Sequence, residues 1–212
     1  MRTTAIWIAV SAFVLASTPA HAVFFLNFEN GTDGSPVTDI NGVSFQSFNG
    51  FPSIYGDSST GNYNTTSDDL NQTWNAGSFH HNGFFWLWAG PNANAQGVKV
   101  DFTQNNGTWF TTGYSSASSF TVEVHHTDAT SVNFVGAANT GGPMGYINAV
   151  ASAGKFIDYV VLHDTGNAWL VDDMSGDADG VSTVPEPSTL VILGLGLVCT
   201  ATLRRRRRAG AQ

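Results

Sequence analysis

Glu123 lies in the alternating run Phe120-Thr121-Val122-Glu123-Val124-His125, where Thr121 and His125 share its face. A carboxylate placed there could do acid–base chemistry. Asp101, in Val98-Lys99-Val100-Asp101-Phe102-Thr103, offers a second acid with the same outward phase. Glycoside hydrolysis requires two carboxyls about 5–9.5 Å apart. Only Glu29 and Glu123 supply glutamates before the C-terminal segment, so this enzyme reading ranks third. The histidines stand in adjacent pairs, His80-His81 and His125-His126, whose rings diverge on a strand, and no HxH or HExxH spacing points to zinc. His163-Asp164 could orient a base, yet no serine in a nucleophile-elbow setting accompanies it. The sole cysteine, Cys199, falls in a C-terminal apolar run, so neither a thiol nucleophile nor a disulfide is available to the rest of the chain. The expectation is no catalytic residue and no enzyme.

Six tryptophans raise a different chemistry, because aromatic faces stack on the apolar faces of sugars. Trp86 and Trp88 share a strand face with Phe84 and read as core; Trp169 opens the last strand and reads as buried. Trp74 and Trp109 lie beside polar turns and are the candidates for an exposed glycan-binding surface.

The segment carrying these residues is strongly acidic. All sixteen Asp and Glu lie between Glu29 and Glu186, where Lys99 and Lys155 are the only Lys or Arg, so its formal charge is −14 against −8 for the whole chain. Such a surface repels phosphate backbones and excludes nucleic acid as a partner. It attracts divalent cations.

Strand-like runs separated by turn residues position the candidates. They are Val23–Phe28, Val43–Phe48, Phe84–Trp88, Val98–Thr103, Phe120–His125, 131–137, 145–150, 156–163 and 168–174. Phe84–Trp88 is apolar on both faces, as a strand covered from both sides would be. Residues 56–77 are rich in Ser, Asn, Thr and Asp and read as a long loop. Period-two patterning with almost no helical periodicity predicts an all-β fold, an antiparallel β-sandwich.

The chain ends read as addresses. Arg2, the apolar run Ala5–Ala16 and Ala20-His21-Ala22 have the layout of a secretory signal peptide (residues 1–22), cleaved before Val23, which makes the Sec translocon a partner. A β-sandwich domain over 23–175 and a polar linker over 176–184 follow. Pro185, Glu186 and Pro187 cannot continue a strand or helix and leave an accessible stretch. Residues 188–203 carry no charge and span about 24 Å as a helix, against a hydrocarbon core of roughly 30 Å. Arg204, Arg205, Arg206, Arg207 and Arg208 come next, with a short cytoplasmic tail over 209–212. A cationic cluster beside an apolar span stays cytoplasmic and so holds the acidic domain outside.

The order Pro-Glu-Pro, apolar helix, arginine cluster over 185–208 resembles the PEP-CTERM sorting signal of bacterial exported proteins. That resemblance implies processing by a membrane-embedded protease, an exosortase, transient anchoring in the inner membrane, and a final place at the cell surface or in an exopolysaccharide (biofilm) matrix. Phe28-Glu29-Asn30-Gly31, Gly34–Thr38 and Gly42–Phe45, with Leu170-Val171-Asp172-Asp173-Met174 at the other end, resemble the opening and closing segments of jelly-roll β-sandwich domains. In a jelly roll the first and last strands can lie together. Glu29 with Asp172 or Asp173 could then share a structural calcium ion, completed by carbonyls of the 30–34 turn. Neighbouring strand residues face opposite ways, so one aspartate should point inward and the other outward. The reading is an exported, non-enzymatic surface or matrix protein with a structural or exopolysaccharide-associated role; a carbohydrate-binding module ranks second.

Overall fold

The computed structural model describes residues 22–48, 50–60, 63–88, 97–102, 107–166 and 168–178. Residues 1–21 of the expected signal peptide, the sorting signal, the expected transmembrane segment and the arginines lie outside the described residues. The sandwich belongs to a compact unit spanning His21–Thr183.

Two six-stranded sheets carry the fold. The first, sheet A, is ordered β13 (Gly145–Val150), β10 (Trp109–Ser116), β15 (Trp169–Ala178), β8 (Phe85–Trp88), β4 (Ile54–Asp57), with β1 (Ala22–Leu26) joining the far half of β15. The second, sheet B, runs β12 (Ser131–Gly136), β11 (Phe120–His126), β14 (Ile157–Asp164), β9 (Val98–Asp101), β3 (Val43–Ser47), β2 (Asp39–Ile40). All pairings in both are antiparallel. The core between them takes residues of one phase from each strand, Phe24 and Leu26, Phe110 and Tyr114, Val122 and Val124, Val160 and Leu162, and from β15 Val171 and Met174, which flank an extra residue. The expected all-β sandwich is present.

Three features depart from the sequence reading. The stretch expected to be a loop, 56–77, contains the end of β4, a short 3-10 turn, and the strands β5 (Thr65–Ser67) and β6 (Gln72–Trp74). With β7 (Phe79–His81) these two form a third, three-stranded sheet. That sheet packs on the outer side of sheet A, which is why β8 is apolar on both faces: Leu87 faces the main core and fully buried Trp86 faces the small sheet. Secondly, β10, absent from the runs expected as strands, lies inside sheet A between β13 and β15. Thirdly, β15 continues through Ala178, three residues into the expected linker, paired throughout with β1.

Candidate functional site

The first and last strands meet as expected, with Phe24 opposite Gly176 and Leu26 opposite Met174. Asp172 and Asp173, however, do not simply alternate. Asp173 adopts φ 47°, and the register between β10 and β15 slips there, so β15 carries one extra residue. The bulge swings both carboxylates to one residue: Asn82 donates its backbone N–H to Asp172 (2.9 Å) and its side-chain amide to Asp173 (2.5 Å). Tyr146 donates its hydroxyl to Asp173 as well (3.1 Å), and burial followed by the Asp173 charge pushes its phenol up to about 12. Glu29 reaches the next step of the same turn, accepting from the N–H groups of Phe84 (2.9 Å) and Phe85 (3.0 Å). Asp172 is 1% exposed, and burial with the neighbouring Asp173 charge raises its carboxyl well above the usual range. The three acids thus tie the segment after β1 and the strand β15 to residues 82–85. Among the described residues, no group of three His, Cys, Asp or Glu side chains is spaced to hold a metal ion as it stands.

The outward face of sheet B gathers the acid–base candidates. Glu123 accepts from His125 (3.1 Å) and has His163 at 3.9 Å, and the His125 ring stacks on Tyr159 at 4.4 Å. Lys99 stands 4.2 Å from the centre of the same Tyr159 ring and pairs with Asp101 at 3.1 Å. The register runs Glu123, Val161, Lys99 across three strands, with Asp101 two residues further along. The Glu123 and Asp101 backbones are therefore about 12 Å apart, and each carboxylate is engaged with a separate partner. His163 and Asp164 point to opposite sides: Asp164 is buried and takes the hydroxyls of Ser116 (3.0 Å) and Ser118 (2.9 Å). The paired histidines diverge as expected. His80 bonds Asp68, whereas His81 is fully buried between Ser58 (2.8 Å) and the Asn82 carbonyl (2.9 Å), where burial lowers its pKa.

The two candidate tryptophans fall on different layers. Trp74, on the small sheet, stacks on His81 and meets Phe84 edge-on. Trp109 faces outward from the half of sheet A that the small sheet leaves uncovered, and Asp177 fixes it by accepting the Thr108 (2.7 Å) and Trp109 (3.0 Å) backbone N–H groups. Around Trp109 stand Val23 (61% exposed), Phe25 (62%), Tyr146 (52%) and Val150 (53%), all on the outward phase of β1 and β13. One rung of the register reads Phe25, Ser175, Thr111, Asn148 across four strands, a width of about 14 Å. Sequence reasoning found Trp109 and missed the others. The signal was in the sequence: Val23-Phe24-Phe25-Leu26 is apolar on both phases, and only one phase reaches the core.

Fold and surface together define a class: an all-β sandwich presenting a flat, partly aromatic face. Residues 183–208 match the PEP-CTERM protein-sorting motif. The chain thus carries the sorting signal of an exported protein. Comparison with curated proteins gives no match. Solved structures with a similar course include a family 29 carbohydrate-binding module from Piromyces equi, at 8% identity over 76% of this chain and 96% of that one, TM-score 0.40. Another is the C-terminal family 22 carbohydrate-binding module of Clostridium thermocellum Xyn10B, at 12% identity over 76% and 96%, TM-score 0.41. At such identities and scores the functional argument belongs to this chain's own residues. Among the described residues, no helix is long and apolar enough to cross a membrane.

Proposed function

We propose that the exported domain is a non-catalytic, polysaccharide-associated surface or matrix protein, and that the uncovered half of sheet A is the face that meets glycan. The delivery follows from the sorting motif: an exosortase acts near Pro185–Pro187 after Arg204–Arg208 and the apolar span have held the chain in the inner membrane. One observation carries the binding reading. Phe25 and Tyr146 stand exposed and Trp109 half-buried on one sheet face, interleaved with the hydroxyls and amide of Thr111, Ser175 and Asn148. An apolar patch of this kind on a monomer marks an interaction surface, and aromatic rings alternating with hydrogen-bonding groups suit the C–H faces and hydroxyls of a sugar chain. The formal charge of −14 favours neutral polysaccharide over anionic. A glycosidase is not supported, because Glu123 and Asp101 do not face one another across a cleft.

Affinity electrophoresis of the exported protein through gels containing neutral polysaccharides tests this. Retardation by at least one polymer is expected, with Trp109→Ala and Phe25→Ala each abolishing most of it, Phe25→Ala at unchanged melting temperature because its side chain faces solvent. A wild-type protein that no polymer retards, or variants that bind as well as wild type, would overturn the reading.

A structural calcium ion at Glu29, Asp172 and Asp173 is a second, separate proposal. The observation favouring it is the burial of Asp172 against Asp173 with Glu29 nearby, a repulsion that a divalent cation would offset. Binding would require the carboxylates to turn partly away from the 82–85 amides.

A further inference from the structure

Between the small sheet and sheet A lies a cavity of about 240 Å³, half open to solvent and lined by Tyr63, Asn64, Thr65, Phe79, Trp88 and Leu170. Its walls are held in place by bonds that involve no ligand. Tyr63 donates its hydroxyl to Asp33 (3.0 Å) and meets Trp86 edge-on at 5.2 Å and Trp88 at 5.4 Å. Thr65 is tied to Ser58 at 2.8 Å. Leu170 pairs in register with Trp88. Such a pocket needs little ordering on binding, which is where affinity for small ligands is usually lost.

We propose that this cavity binds a single neutral pyranose ring, the end unit of a glycan chain or a free monosaccharide. Size sets the first limit: a cavity of about 150 Å³ accommodates benzene, so 240 Å³ admits one six-membered ring with its substituents and no second ring. Chemistry sets the second. Tyr63, Phe79 and Trp88 supply aromatic surface for the C–H faces of a ring. Trp88 contributes ring surface to the wall, its Nε1–H being shielded from solvent. One donor stands at the mouth. Asn64 commits its side-chain oxygen to the Ser78 N–H and exposes its amide at the mouth. A hydrocarbon or plain aromatic ring would leave the Asn64 amide unmet, whereas a polyhydroxylated ring meets it. Charge sets the third limit. Among the described residues no cation lines the cavity, and Asp33 and Asp57 lie close enough to act on Tyr63, so a uronate is repelled. The site is separate from the aromatic face of sheet A and stands or falls independently of it.

The test is a titration of the exported protein with glucose, galactose, mannose and N-acetylglucosamine, with glucuronate as the anionic probe. The readout is the indole N–H resonance of Trp88, assigned by its loss in Trp88→Phe. A saturable shift of that resonance is expected with at least one neutral sugar and not with glucuronate. It should survive in Trp109→Ala, while calorimetry on Phe79→Ala should show binding roughly 2–10-fold weaker, the range for losing one aromatic contact. No shift with any neutral sugar, an equal shift with glucuronate, or loss of the shift in Trp109→Ala overturns the proposal. The wild-type titration decides this even if Phe79→Ala fails to fold.

Discussion

Asp172 is the residue where charge and burial are most at odds. Its folded pKa is raised, so the native state holds its proton more tightly than the unfolded chain does. The stability this contributes is complete below the unfolded carboxylate value of about 4 and is lost as pH rises through the higher folded value. Without a metal, ionisation of Asp172 beside Asp173 therefore costs stability towards neutral pH. With calcium bound the sign reverses, because the ion needs the ionised carboxylates. Melting curves across pH, with EDTA and with added calcium, separate the two. The calcium proposal expects a melting temperature that at neutral pH falls with EDTA and recovers with the ion. Superimposable curves would remove it and leave the three acids as anchors for Asn82, Phe84 and Phe85.

At the scale of elements, Gly56 shows how the third sheet is seated. It lies opposite Trp86 in the β4–β8 register, and a Cβ added there would fall 2.3 Å from the indole. Trp86 is fully buried under the small sheet, against His81 and Tyr63, so it has nowhere to move. Gly56→Ala is expected to destabilise the domain by about 1–3 kcal/mol, the usual cost of overpacking, read as a lower urea midpoint; an unchanged midpoint would mean the indole is not locked. The same elements explain what the sequence hid. Strands whose outer side meets solvent, such as β9 and β11, alternate cleanly and were legible. Short β5, β6 and β7 are built from Thr, Ser and His because their inner side closes on polar partners such as Ser58 and Asn82, so they imitate a loop. β10 carries Gly113 where Met144 and the Asp172 carbonyl approach within about 3 Å of a would-be Cβ, and that close approach, not a turn, accounts for the glycine. The bulge at Asp173 was illegible for a further reason: a single left-handed residue inside a strand leaves the apolar pattern on either side intact. Of the candidate surface, Trp109 was legible from its neighbours in sequence, but its companions on β1 and β13 meet it only through long-range pairing.

At the scale of the molecule, the two chain ends constrain the order of events during export. The expected signal-peptide cut, between Ala22 and Val23, falls inside β1, where Ala22 pairs with Ala178 and Val23 with Asp177. A peptidase takes its substrate as an unpaired extended chain, and a strand already bonded to β15 cannot supply one. β15 ends only seven residues before Pro185, so it reaches the far side of the membrane near the end of translocation. A signal-peptide cut before Val23 would therefore have to come first, the new N-terminus then docking along β15 and burying Phe24 and Leu26 to complete the core. A later cut at the sorting motif would act on a domain that has already closed, so it should change the C-terminus and nothing else. Intact mass of the exported protein is expected to show a chain starting at Val23 whether or not the exosortase gene is present. The C-terminal segment beyond the motif should be missing only when the gene is present. A folded product that still carries residues upstream of Ala22 would contradict the order, because β1 would then have docked with its leader attached.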